Sequence, residues 1–163
     1  MKTWILTGSL ENFRINVERG FDVIGFKEGR RRQAEDFEPG DEVVFYVTGV
    51  QAFGGIARVR STMFEDRTPI WPAKKKGKPK ANGRLDTGGE EYPWRVEAAA
   101  DVVLDETDFV DAGELAPKLE HVAKWPAEHW HLAFQGQLRI VPEADARLLR
   151  ERIEAASRAG SPA

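Results

Sequence analysis

The residues Glu38-Pro39-Gly40-Asp41 form a turn signal that runs straight into the apolar stretch Val43-Val44-Phe45-Tyr46-Val47. Proline pre-sets the second position of such a turn, glycine tolerates positive φ at the third, and the β-branched and aromatic run that follows reads as a strand. Side chains of a strand alternate between faces, so Val43, Phe45 and Val47 share one face and Val44, Tyr46 and Thr48 the other. One face belongs to the core and the other is available to a site.

Further strands are expected at residues 3–7, 42–50 and 55–61, the last two forming an antiparallel hairpin through Gln51-Ala52-Phe53-Gly54. Ser9 reads as the N-cap of a short helix with Phe13 and Val17 on one face, and residues 30–35 as a second helix. From Trp94 onward, Trp94, Val96, Ala98, Ala100, Val102 and Leu104 fall on one face of a long strand, with Arg95 and Glu97 on the other. Residues 114–122 read as a helix burying Leu115, Leu119 and Val122, residues 130–134 and 138–141 as strands, and residues 143–156 as a closing helix. Short strands mixed with short helices argue for an α+β fold, a small mixed β-barrel with peripheral α-helices, over a parallel sheet with crossovers. One domain over residues 1–156 is expected, with a flexible basic loop at about 73–89 and a disordered tail at 157–163.

A chain of 163 residues without cysteine has neither a thiol nucleophile nor thiolate ligands, and it needs no oxidising compartment. The apolar run at the N-terminus is too short for a signal peptide or a membrane span, so a cytoplasmic protein is expected. The net charge of −3 argues against coating nucleic acid through bulk electrostatics. Local basic clusters, Lys27 with Arg30, Arg31 and Arg32, and the lysines between Lys74 and Lys80, suit a local contact instead. His129-Trp130-His131 offers two imidazoles but no third ligand, so no metal is expected, and no cofactor. Glycine spacing fits neither a dinucleotide fingerprint nor a P-loop.

The ordered motifs GF-x-V-x-GFKE-x-R, PGD-x-V-x-FYVTG, F-x-GIA-x-V-x-S, IWP, YP-x-R-V and FQGQLRIVPEAD, spread from about Trp4 to Leu149, resemble the EVE domain. That family is related to the YTH readers of methylated adenine and to ASCH domains within the PUA-like superfamily. The resemblance implies a binding module, not an enzyme, that flips one modified cytosine or adenine of DNA or RNA into an aromatic pocket. It also implies a nuclease or modification-system protein as a possible partner.

By the same resemblance the pocket is built from Ser9, Asn12, Phe21, Val23, Gly25, Phe26, Tyr46, Phe53, Trp71, Tyr92 and Arg95. From the residues themselves, Lys27 and Arg30 flank a glycine beside an expected helix start, where backbone amides also favour phosphate, and with Arg31 they would hold phosphates. Ser9 and Asn12 stand where related readers turn polar groups to the base, and Arg95 is the arginine of the family's P-x-R element. The position matching the first cage tryptophan of YTH readers falls on Ile24 or Gly25. The residues themselves agree in part: Phe21, Phe26, Phe53 and Trp71 lie near glycines or in loops, where function concentrates, whereas Trp4, Phe13, Phe45 and Trp94 have core parity. Two alternatives stand beside this reading. One is an ASCH-type enzyme acting on RNA or modified nucleosides, with Lys27, Glu28, Tyr46 and Glu97 as acid–base groups. The other is a binder of free nucleobases or other small molecules. A monomer is the expected state.

Overall fold

The computed structural model describes residues 1–71, 92–134 and 138–160, so the loop expected at 73–89 lies outside the described residues. Its strands are β1 (Thr3–Gly8), β2 (Val23–Phe26), β3 (Glu42–Val47), β4 (Ala52–Val59), β5 (Phe64–Glu65), β6 (Trp94–Val103), β7 (Val110–Asp111) and β8 (Leu138–Ile140). They form one mixed sheet in the order β2-β6-β4-β3-β1-β8, with β5 on β6 and β7 on β4, curled into a half-barrel. Helices α1 (Leu10–Glu18), α2 (Arg31–Glu35), α3 (Ala112–Leu115) and α4 (Glu143–Gly160) lie around it. This is the α+β, PUA-like architecture expected from the sequence.

The turn before β3 is built as its residues dictate. Asp41 N–H donates to Glu38 O at 3.1 Å and Gly40 adopts φ +96°. The Asp41 carboxylate is fully buried and accepts from the backbone of Lys2 at 2.9 Å, the backbone of Glu38 at 3.1 Å and the Trp4 indole at 3.1 Å. It thereby ties the turn to the start of β1, which runs parallel to β3 with Thr3 opposite Glu42 and Gly8 opposite Val47.

Both faces of β3 are covered. Val43, Phe45 and Val47 enter a first core with Trp4, Leu6, Phe13 and Phe21, while Val44 and Tyr46 enter a second with Phe53, Leu115, Leu149 and Ile153. At one edge of the sheet, the Gln33 side chain of α2 donates to Leu138 O of β8 at 3.1 Å and so occupies part of that edge.

Several expectations are corrected. The hairpin turns earlier than expected, with Gly49 at φ +84° and Gln51 at φ +50°, so β4 begins at Ala52 and Phe53 is a strand residue. In β6 the register steps from Ile56 opposite Val102 to Ala57 opposite Ala100. Asp101 is the extra residue of this bulge and reverses the side-chain parity beyond it, so Val102 and Leu104 join the second core instead of the first; Ala100, just before it, is exposed. The helix expected at 114–122 ends at Leu115 and continues as 3-10 turns Ala116–Lys118 and Glu120–Val122, because Pro117 has no N–H to continue an α-helix. Leu115, Leu119 and Val122 are nevertheless buried as expected. Residues 130–134 are not a strand but part of the 3-10 segment Ala127–Phe134, kinked at His129. Val17 is exposed, and Asn16 is buried beside Phe13 in its place. Helix α4 runs through Gly160, past the expected end at Ala156. No helix among the described residues is long and apolar enough to cross a membrane.

Candidate nucleic-acid interface

Parallel strands end at the same side of a sheet, so β1 and β3 stop together, joined by Thr48 N–H donating to Gly8 O at 2.9 Å. Beyond these ends lies a cavity of about 310 Å³, at the small end of the range for small-ligand sites, about 300–1,000 Å³. Leu6 to Gly8 of β1 and Phe45 to Thr48 of β3 form its floor. Ser9, the N-cap of α1, and Asn12, Phe13 and Asn16 of the helix line it, with Ile24 and Gly25 from β2 and Lys27 and Arg30 from the turn after β2, and Trp71 and Tyr92 close one side.

The α1 residues face it because Asn12 and Asn16 are four apart on one side of a helix. That helix is capped by Ser9, whose Oγ accepts from Asn12 N–H at 3.1 Å. Asn16 Oδ1 accepts from the Trp71 indole at 2.9 Å. An indole N–H can only donate, so the Asn16 carbonyl must face Trp71, and its NH2 is the group left for the cavity. Asn12 Nδ2 lies 3.4 Å from the Tyr92 hydroxyl, a long contact.

Trp71 and Tyr92 meet edge to face with centroids 5.3 Å apart. Trp71 lies against the backbone of β2: a Cβ on Gly25 would come within 2.4 and 2.6 Å of its ring carbons and 3.0 Å of the Tyr92 Cβ. Glycine at this position is what admits the indole. Arg95 stands opposite Gly25 on β6 and is 1% exposed, its guanidinium 5.4 Å from the Trp71 ring centroid. Burial draws Arg95 below the ordinary arginine value, partly offset by Asp66.

Of the residues expected at a base pocket, the cavity brings together Ser9, Asn12, Gly25, Tyr46, Trp71 and Tyr92, and of the expected phosphate contacts Lys27 and Arg30. Tyr46 borders it, but its ring belongs to the second core, stacked on Phe134 at 4.6 Å, where burial followed by the charge of Asp111 raises its hydroxyl pKa. Five expected pocket residues do not line it. Phe21 packs on Phe13 and Phe45, Phe26 stacks on Phe37 at 4.9 Å, and Phe53 is buried beside Tyr46 and Phe134. Strand parity and positive φ at Phe21 (+56°) send these rings into the cores. Val23 opens β2 opposite Glu97, away from the cavity, and Arg95 lies behind Trp71. Arg31 is turned to Trp94, 4.8 Å from its ring, and pairs with Glu35 at 3.2 Å.

Phe13 and Phe45, read as core from their parity, are both core and wall, and Asn16 was missed. Its signal was the spacing Asn12-x-x-x-Asn16 on the capped helix. His129 and His131 lie with ring centroids 6.3 Å apart, and among the described residues no group of three or more potential ligands could hold a metal ion.

Comparison with known structures places this architecture. A protein of Rhodopseudomonas palustris is similar over 100% of both chains, at 14% identity and a TM-score of 0.58. A protein of Agrobacterium tumefaciens is similar over 99% of this chain and 97% of its own, at 18% identity and a TM-score of 0.55. The YTH domain of a Zygosaccharomyces rouxii protein, solved in complex with N6-methyladenosine RNA, is similar over 92% of this chain and 84% of its own, at 18% identity and a TM-score of 0.57. At these identities the likeness is one of fold. No curated protein matches the chain. The family model of the EVE domain matches residues 2–149, nearly the whole sequence, and the chain belongs to the EVE domain family.

Proposed function

We propose that this protein is a binding module that takes one modified base of a nucleic acid, flipped from its strand, into the cavity at the ends of β1 and β3. The observation that carries this reading is the lining itself: aromatic surface from Trp71, Tyr92, Phe13 and Phe45, amide groups from Asn12 and Asn16 of α1 with the hydroxyl of its cap Ser9, and two cations, Lys27 and Arg30, in the same cavity. Recognition of a single unstacked base needs flat apolar walls and a few hydrogen-bonding groups for its edge, and phosphates need cations beside them. The likeness to a YTH fold solved with a methylated RNA agrees with this use of the fold.

A binding role is favoured over acid–base chemistry by the same lining, in which no carboxylate or imidazole occurs among the described residues. Of the four groups considered above for acid–base chemistry, Glu28 and Glu97 are outside it, while Lys27 and Tyr46 line it; burial raises the Tyr46 hydroxyl pKa further above neutrality, which leaves that hydroxyl a hydrogen-bonding group. A reading limited to free bases gives no part to Lys27 and Arg30.

Magnitudes make the cations matter. Stacking contributes about 1–3 kcal/mol per base, and extruding a paired base costs a few kcal/mol, so a duplex target needs phosphate contacts to gain net affinity. One buried methyl adds about 0.8 kcal/mol, about fourfold, so stricter selectivity depends on the hydrogen bonds of Asn12 and Asn16.

The test is fluorescence polarisation with oligonucleotides of DNA and RNA carrying 5-methylcytosine, 5-hydroxymethylcytosine, N6-methyladenine or no modification, at two salt concentrations, with Trp71→Ala alongside. Preference for one modified strand, weakened by salt and lost in Trp71→Ala, is the expected outcome. Equal affinity for every strand would overturn the reading.

A further inference from the structure

Arg95 is the buried basic side chain among the described residues, and a buried guanidinium is tolerated only where its donors are satisfied. Its Nε donates to Tyr92 O at 3.0 Å, its Nη2 donates to Thr68 O, and its Nη1 lies 3.6 Å from Asp66 Oδ1. Thr68 precedes Trp71 by three residues and Tyr92 precedes Arg95 by three, so one guanidinium joins the two chain segments that carry the aromatic side of the cavity. Tyr92 itself is held at φ +48°, a conformation that a non-glycine residue adopts at a cost and keeps only where its surroundings enforce it. Beside these bonds the guanidinium lies 5.4 Å from the Trp71 ring centroid. Arg95 does not line the cavity, so neither a base nor a phosphate bound there reaches it.

We propose that Arg95 is a positioning residue: it fixes Trp71 and Tyr92 in place before any ligand arrives, and it acts on binding only through them. The proposal rests on the reading of the cavity as a base pocket. Three contacts then define where the indole can be. Asn16 accepts its N–H, the bare Gly25 backbone lies under its ring, and the guanidinium backs it. Walls already ordered in the free protein spare the ligand the entropy of ordering them, which is how a residue out of reach of the base strengthens binding. Lysine cannot substitute, because an ammonium is a point charge without the planar fork that bonds two carbonyls and lies against a ring.

The experiment uses the full chain labelled with 15N-tryptophan, without ligand, as wild type, Arg95→Gln and Arg95→Lys. The Trp71 indole signal is identified by its loss in Trp71→Phe. In both Arg95 variants the Trp71 N–H is expected to exchange with solvent about tenfold faster, while the Trp4 N–H, bonded to Asp41, keeps its protection and reports an intact fold. In the polarisation assay both variants should bind the preferred oligonucleotide about tenfold more weakly, with the salt dependence of the wild type. Should Arg95→Gln lose Trp4 protection as well, Arg95→Lys decides. Unchanged Trp71 exchange in a folded variant, a shallower salt dependence, or full binding restored by lysine would overturn the proposal. If the wild type binds none of the oligonucleotides, the base-pocket reading fails by itself, and the ligand-free exchange still reports whether Arg95 holds Trp71.

Discussion

Glycine 25 and tryptophan 71 are a matched pair, and neither makes sense alone. The ring carbons of Trp71 occupy the space a Cβ would need, so Gly25→Ala forces the indole or the strand to move. Overpacking of this kind costs about 1–3 kcal/mol, and we expect that loss in urea unfolding together with weaker oligonucleotide binding. Asp41 makes a second prediction. Burial alone would raise its pKa, but the N–H groups of Lys2, Trp4 and Glu38 outweigh it and hold the carboxyl below its usual value. A depressed folded pKa means stability that is full above the unfolded value, about 3.9, and is lost as pH falls through the folded one. Asp41→Asn should therefore be less stable at neutral pH, by about 2–3 kcal/mol, and its stability should fall less steeply below about pH 4 than that of the wild type. At this scale the sequence revealed Trp71, Tyr92, Ser9 and Asn12 at the cavity but misplaced Phe21, Phe26 and Phe53. Proximity to a glycine does not say which way a ring points; strand parity and the backbone at Phe21 decide that.

Helix α4 seals the second core with Leu149 and Ile153, both fully buried. Arg150 anchors it to the sheet through Glu42 and through Asp101, the latter at 2.7 Å, and also bonds Glu154 of its own helix at 2.7 Å. Burial opposes the charge on Arg150, but these bonds outweigh it and raise its pKa, while the bond from Arg150 leads the causes that lower Asp101. Leu149→Ala should cost about 2–5 kcal/mol in chemical denaturation, the range for a buried leucine whose cavity does not fully collapse. The elements with strong local signals, the turn and β3, the capped α1 and the amphipathic α4, were legible from residue order. The segment 127–134 was not, because His129-Trp130-His131 alternates like a strand although the chain there is coiled into 3-10 turns. Nor was the bulge at Asp101, which depends on pairing with β4 and leaves no mark in the strand's own residues.

Across the whole molecule, the two cores leave the cavity at a place set by topology: β1 and β3 are parallel, and their shared end faces α1 and the turn that carries Lys27 and Arg30. Charge is divided accordingly. The chain is acidic overall, with a net charge of −3, yet both charged residues of the lining are basic. Binding should weaken with salt at a slope of about one or two phosphate contacts, far short of a protein that coats DNA, and the double variant Lys27→Gln with Arg30→Gln should flatten it. The most direct measurement is chemical-shift mapping of the tryptophan indoles and asparagine side-chain amides on adding the oligonucleotide preferred in the polarisation assay. Trp71 and Asn16 are expected to move together and saturate with that strand, while exposed Trp125 stays still. Saturable binding that moves Trp125 and leaves Trp71 and Asn16 unchanged would contradict the base-pocket proposal.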